Sequence, residues 1–111
     1  MKKFLVIYHA PAEAMTKMAT ATDEEKMEGM KPWMAWKDEI GDKLLDFGAP
    51  LMPGQRLLPD GTVQDSTKEV TGYSMIQAND MDEAKSLLKT HPHLKWIGGC
   101  DIEVHEFGRM D

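Results

Sequence analysis

Two short segments of this chain are apolar on both of their faces, and this constrains the fold more than any other feature. Phe4, Val6 and Tyr8 alternate with Leu5, Ile7 and His9; after Gly72, Tyr73, Met75 and Gln77 alternate with Ser74, Ile76 and Ala78. Period-two alternation marks strands, and a strand without a polar face has to be covered from both sides. With 111 residues the chain has room for one domain, residues 1–111, and so for few covering helices.

The helices announce themselves by their caps. Thr22 followed by Glu25 is a capping box, with Asp23 and Glu24 placing negative charge where the helix dipole favours it. Gly29 and Pro32 are expected to interrupt or kink this helix. Beyond them Trp33, Trp36, Ile40, Leu44 and Phe47 recur at spacings of three and four, predicting one apolar stripe that stops at Gly48. Asp80 with Glu83 repeats the capping signature, and Met81, Ala84, Leu87 and Leu88 predict a short amphipathic helix ending before Pro92. Residues 10–21, rich in Ala, Met and Thr, show no clear period and fit either a loop or a weak helical turn. Pro59-Asp60-Gly61 predicts the turn of an outlying hairpin between residues 56–58 and 62–64. A last strand over residues 100–107 sets Ile102 and Val104 against Asp101, Glu103 and His105, so one of its sides is polar.

Strand, helix, hairpin, strand, helix, strand describes an α+β layer sandwich built of two βαβ-like halves. Two helices can cover one face of its sheet only. In a chain this small the natural cover for the second face is a second copy, which predicts a homodimer with sheets face to face.

Charge and cysteine content exclude several classes. Thirteen basic residues against 19 acidic ones give a formal net charge of −6, the wrong sign for a phosphate backbone or an anionic membrane, so neither nucleic acid nor membrane is an expected partner. Lys2 and Lys3 precede an apolar run too short for a signal peptide, and no stretch approaches the roughly 20 apolar residues of a membrane span. Cys100 is the one cysteine, which forbids an intrachain disulfide and predicts a reducing, cytoplasmic setting. A glycine-rich dinucleotide fingerprint, a P-loop, a serine nucleophile elbow and a cysteine pair are all missing, which points away from nicotinamide, nucleotide and serine-hydrolase chemistry and predicts no cofactor.

Taken in order, Phe4-Leu-Val-Ile-Tyr8, Trp33-Met-Ala-Trp36, Gly72-Tyr-Ser-Met-Ile-Gln-Ala78 ahead of Met81-Asp-Glu-Ala84, His91-Pro-His-Leu94 and the segment from Gly99 to Val104 resemble the YCII-related domain family over nearly the whole chain. The resemblance implies a ferredoxin-like fold, an antiparallel sheet with two helices on one face, assembled as a dimeric α/β barrel. The family's suspected active pair is a His and an Asp in a cleft. Here Trp33 stands at the place of the His and His91 at the place of the Asp, and Gln64-Asp65-Ser66-Thr67 replaces the DGPF tetrapeptide of one branch. What carries over is a pocket between the helix bearing Trp33 and Trp36 and the turn at His91.

His91 and His93 flank Pro92 just beyond a helix C-terminus, where the dipole favours an imidazolium. His91 is therefore the leading acid/base candidate; the plainer role for both is capping or exposure. Two histidine nitrogens with no third ligand in sequence do not make a metal site. His9, with His105, Asp101 and Glu103, is a second candidate pair of histidine and carboxylate, set against a solvated strand face. Trp33, Trp36 and Tyr73 are candidates to wall a pocket for a small apolar or aromatic ligand, set against core packing. Met15, Met18, Met27, Met30 and Met34 suit either a lid or irregular core filling. The leading expectation is a cofactor-independent enzyme acting on a small organic molecule through His91, with Trp33, Trp36, Tyr73, His9 and His93 as ligand-binding residues. The alternative is a non-catalytic binding or accessory module using the same cavity. Convergent titratable groups would mark the first, a lining of Met, Trp and Leu the second.

Overall fold

A computed structural model describes residues 1–109, without the side chain of Met15. The fold is α+β, with a four-stranded antiparallel sheet, a separate two-stranded sheet and three α-helices among the described residues. In chain order they are β1 (Lys2–His9), α1 (Ala12–Thr20), α2 (Asp23–Ile40), β2 (Leu44–Pro50), β3 (Gln55–Leu57), β4 (Val63–Asp65), β5 (Val70–Ala78), α3 (Met81–Leu88) and β6 (Asp101–Glu106). The main sheet runs β2-β5-β1-β6, so the two doubly apolar strands lie at its centre.

Register explains the core. Phe4 faces Ile76, Val6 faces Ser74 and Val104, and Tyr8 faces Gly72 and Ile102. These side chains share one face with Trp36 and Ile40 of α2 and Ala84 and Leu88 of α3, in a single cluster closed to solvent. Leu5, Ile7, Tyr73 and Met75, on the opposite face of the same strands, are half-buried.

Local chemistry sets the element ends. Thr22 Oγ1 accepts from the Glu25 N–H and the Glu25 carboxylate accepts from the Thr22 N–H, both at 3.1 Å, so the capping box forms. Asp80 caps α3 by accepting from the Glu83 N–H at 2.8 Å, while Glu83 reaches past it to Asn79 and to Lys43. The hairpin of β3 and β4 pairs Leu57 with Val63 one residue from the predicted spans.

One open alternative is resolved and two expectations need correction. Residues 12–20 form a helix, α1. α2 continues through Gly29 and Pro32, both exposed, where the backbone groups left without helical partners lie on the solvent side. It then ends at Ile40, seven residues before Phe47, because Gly41 takes a positive φ of 56° and caps it. Leu44 and Phe47 consequently belong to β2. Gly48 is a strand residue at φ 80°, where an added Cβ would lie 1.8 Å from the Tyr73 carbonyl oxygen. It sits in the register break between Asp46 and Ala49 opposite β5 and permits that irregular pairing.

Candidate functional site

The residues singled out from the sequence divide between the two faces of the sheet. On the helix side, His91 caps a 3-10 turn (Pro92–Lys95), its Nδ1 accepting from the His93 N–H at 3.0 Å. With Nδ1 used as an acceptor, the neutral ring carries its hydrogen on Nε2, and that atom is buried without a hydrogen-bond partner. Its surroundings are rings: Trp36 at 4.3 Å between centroids, Trp33 at 4.4 Å and perpendicular, Tyr8 at 4.9 Å. These rings occupy the space where the resemblance places a pocket.

Burial, with a smaller contribution from His93, pushes the His91 pKa down to about 3. The dipole stabilisation expected for an imidazolium is of order 1 kcal/mol. A fall from 6.5 to about 3 corresponds to about 5 kcal/mol against the charged form, so desolvation wins and the ring is neutral near pH 7. His91 therefore sits in the structure as a core residue.

The rest of this cluster is satisfied by the fold. His93 Nε2–H donates to the His9 carbonyl at 2.7 Å, and burial lowers its pKa against the opposing pull of that carbonyl and Asp101. Trp36 Nε1–H donates to the Leu87 carbonyl at 2.9 Å. Ser74 Oγ donates to the Phe47 carbonyl at 2.7 Å, which leaves the Tyr8 hydroxyl to donate to Ser74 Oγ, also at 2.7 Å. Burial raises the Tyr8 pKa to about 12, partly offset by the Ser74 contact. Trp33, Trp36, His91 and His93 are thus brought together as an aromatic core. Tyr8 and Ser74 complete it, and neither stands out in the sequence as a site residue; the alternation of their strands reports their burial but not their partners.

On the other face the arrangement is different. Antiparallel pairing of β1 with β6 sets Asp101 opposite His9, Glu103 opposite Ile7 and His105 opposite Leu5, so the polar side of β6 lies beside the end of β1. His9 Nε2 lies 3.3 Å from Glu103 Oε1, close enough for an ion pair but not aligned as a hydrogen bond. The other carboxylate oxygen is paired with His105 Nε2. The hydrogen bond from His105 is the main reason the Glu103 carboxyl titrates below the usual range, with His9 adding to it. A shallow, open depression of about 390 Å³ lies here, lined by His9, Glu103, Asp101, Glu69, Lys68 and Thr67. The clip from His93 to the His9 carbonyl ties this strand end to the 3-10 turn and so fixes where His9 begins.

Tyr73 also lies on this open face, but its hydroxyl is 3.4 Å from Asp46 near the far edge strand, away from the tryptophans. Met18, Met27, Met30 and Met34 are exposed on α1 and α2. Cys100 is a half-buried free thiol. Among the described residues no group of three or more His, Cys, Asp or Glu is arranged to hold a metal ion, and no helix is long and apolar enough to cross a membrane. No family model matches the chain, and no curated protein matches it.

Proposed function

We propose that this chain is a small cofactor-independent enzyme of the YCII-related, ferredoxin-like type, acting on a small organic molecule by acid/base chemistry with His9 and Glu103 as its working pair. The observation that carries this reading is the approach of His9 Nε2, itself a buried atom, to Glu103 Oε1 at 3.3 Å, in two residues that both line an open depression of about 390 Å³. A carboxylate held ionised beside an imidazole stabilises the cation formed when the ring takes a proton, and His105 holds that carboxylate from its other side. His91 has a structural role instead. Buried and neutral, it packs the core beneath the strand that delivers His9.

The half-buried strip of Leu5, Ile7 and Met75 next to the cleft supports a second copy packed face to face, in the manner of a dimeric α/β barrel, which would also screen the cleft from water. Turnover is the test. Small molecules that the chain converts are assayed with His9→Gln and Glu103→Gln, folding being checked by circular dichroism. A loss of about 10²-fold or more in His9→Gln is the expected result. Undiminished turnover in both variants overturns the assignment, and molecules that bind at the cleft without being converted would move the chain to the binding-module reading.

A further inference from the structure

We infer that residues 51–69, with the hairpin of β3 and β4 at their tip, form an arm that packs on a second copy of this chain, anchored by Leu57 and Val63. The inference rests on the reading that a second copy covers the open sheet face, and adds to it a contact outside that face.

The arm is ordered but uncovered. It leaves the main sheet after β2 and returns at β5, and along it every residue except Leu58 and Ser66 is exposed. Its shape comes from its own backbone and turn. The Leu58 N–H donates to the Thr62 carbonyl and the Gly61 N–H to the Leu58 carbonyl, both at 2.9 Å, and the Ser66 N–H closes the base on the Gly54 carbonyl at 2.8 Å. Asp60 Oδ1 accepts from the Thr62 N–H at 3.0 Å and from its hydroxyl at 2.7 Å. Two strands of three residues are too short to be stable in water unless an apolar face is packed on something. The hairpin has such a face. Leu57 and Val63 are cross-strand partners, so their side chains share one side while Arg56 and Gln64 share the other. Leu57 is 74% exposed and Val63 55%, so the chain leaves the pair largely uncovered.

The area left bare has the size of a homodimer interface. A monomer of 12.5 kDa is expected to expose about 6,200 Å². This chain exposes 7875 Å², an excess of about 1,700 Å². Subunits of permanent dimers bury about 1,000–2,500 Å² each. Under a two-fold axis, an arm that reaches beyond its own body onto the other copy is answered by the reciprocal contact, so one surface serves twice. The foot of the arm, residues 67–69, lines the depression beside His9, so the arm and the open sheet face border one another and a single partner can meet both.

Sedimentation velocity over a concentration series gives the dimer dissociation constant of the parent chain, of Leu57→Ser with Val63→Ser, and of Arg56→Ser with Gln64→Ser on the polar side. The first pair should weaken the dimer at least about tenfold, since both copies lose both anchors, and the second by no more than about threefold. All four positions are exposed, and the Trp33 and Trp36 indole N–H signals report that the core is intact. Contact is read directly in mixed dimers. A nitroxide on Gln64→Cys in a Cys100→Ser background, carried by a chain without isotope label, should broaden amide signals of an isotope-labelled partner. If the parent chain dimerises and Leu57→Ser with Val63→Ser dimerises as tightly, or no signal is broadened, the arm inference is overturned and the face-to-face reading stands. A parent chain that stays monomeric with its arm bare overturns both and leaves the arm to a partner of another kind.

Discussion

His91 shows how far burial can move one residue from the role its sequence position advertises. With a folded pKa of about 3 against 6.5 when unfolded, the unfolded chain binds the extra proton first as pH falls. Its stabilising contribution is thus fully present above pH 6.5 and is lost progressively down to about pH 3. Between neutral pH and pH 5 the loss is about 2 kcal/mol, with His93 acting in the same direction. Urea titrations at pH 7.5 and 5.0 should show it, and His91→Gln should flatten the dependence; an unchanged slope in that variant would assign the acid sensitivity elsewhere. At Gly48 the constraint is steric. A methyl group there meets the Tyr73 carbonyl at 1.8 Å on a backbone with φ of 80°, so Gly48→Ala should cost about 2 kcal/mol or more. A thermal midpoint within a degree of the parent chain would contradict that cost.

Among the elements, both central strands and the starts of α2 and α3 are readable because the relevant physics is local. Alternation reports two covered faces, and a threonine or aspartate three residues ahead of a glutamate reports a cap. β2 is unreadable for an equally specific reason. Ile40, Leu44 and Phe47 fall at spacings of four and three that continue the helical stripe from Trp33, and only the positive φ of Gly41 turns the chain out of it. Gly48 then reads as a helix stop although it serves a register break in a strand. The candidate site is half legible. The polar side of β6 can be seen in Asp101, Glu103 and His105, and His9 can be named beside them as a candidate, whereas which carboxylate it meets is set by the pairing register of two strands far apart in sequence. The burial of His91 depends on Tyr8, Trp33 and Trp36 converging from two elements, which no local pattern reports.

At the scale of the whole molecule, the chain is a slab of 44 × 39 × 21 Å with a radius of gyration of 15.4 Å. A compact domain of this length would have a radius of about 13 Å. Its surface is correspondingly large, with a half-buried apolar strip on the open sheet face and an outlying hairpin bearing exposed Leu57 and Val63. Static light scattering at micromolar concentration should return twice the chain mass. Met75→Lys, which sets a charge in the middle of the open face, should return the single-chain mass with the fold intact. A monomeric parent chain would remove the reason for two strands to be apolar on the side away from the helices.

We propose that the working site lies on the open sheet face at His9 and Glu103, with the ring cluster around His91 serving as core. The most direct measurement is a small-molecule panel recorded by two-dimensional NMR, following the His9, Lys68 and Glu103 amides together with the indole N–H signals of Trp33 and Trp36. Ligands are expected to move the first three and leave both indoles unchanged. Ligands that shift the Trp33 and Trp36 indoles while His9 stays still would contradict it.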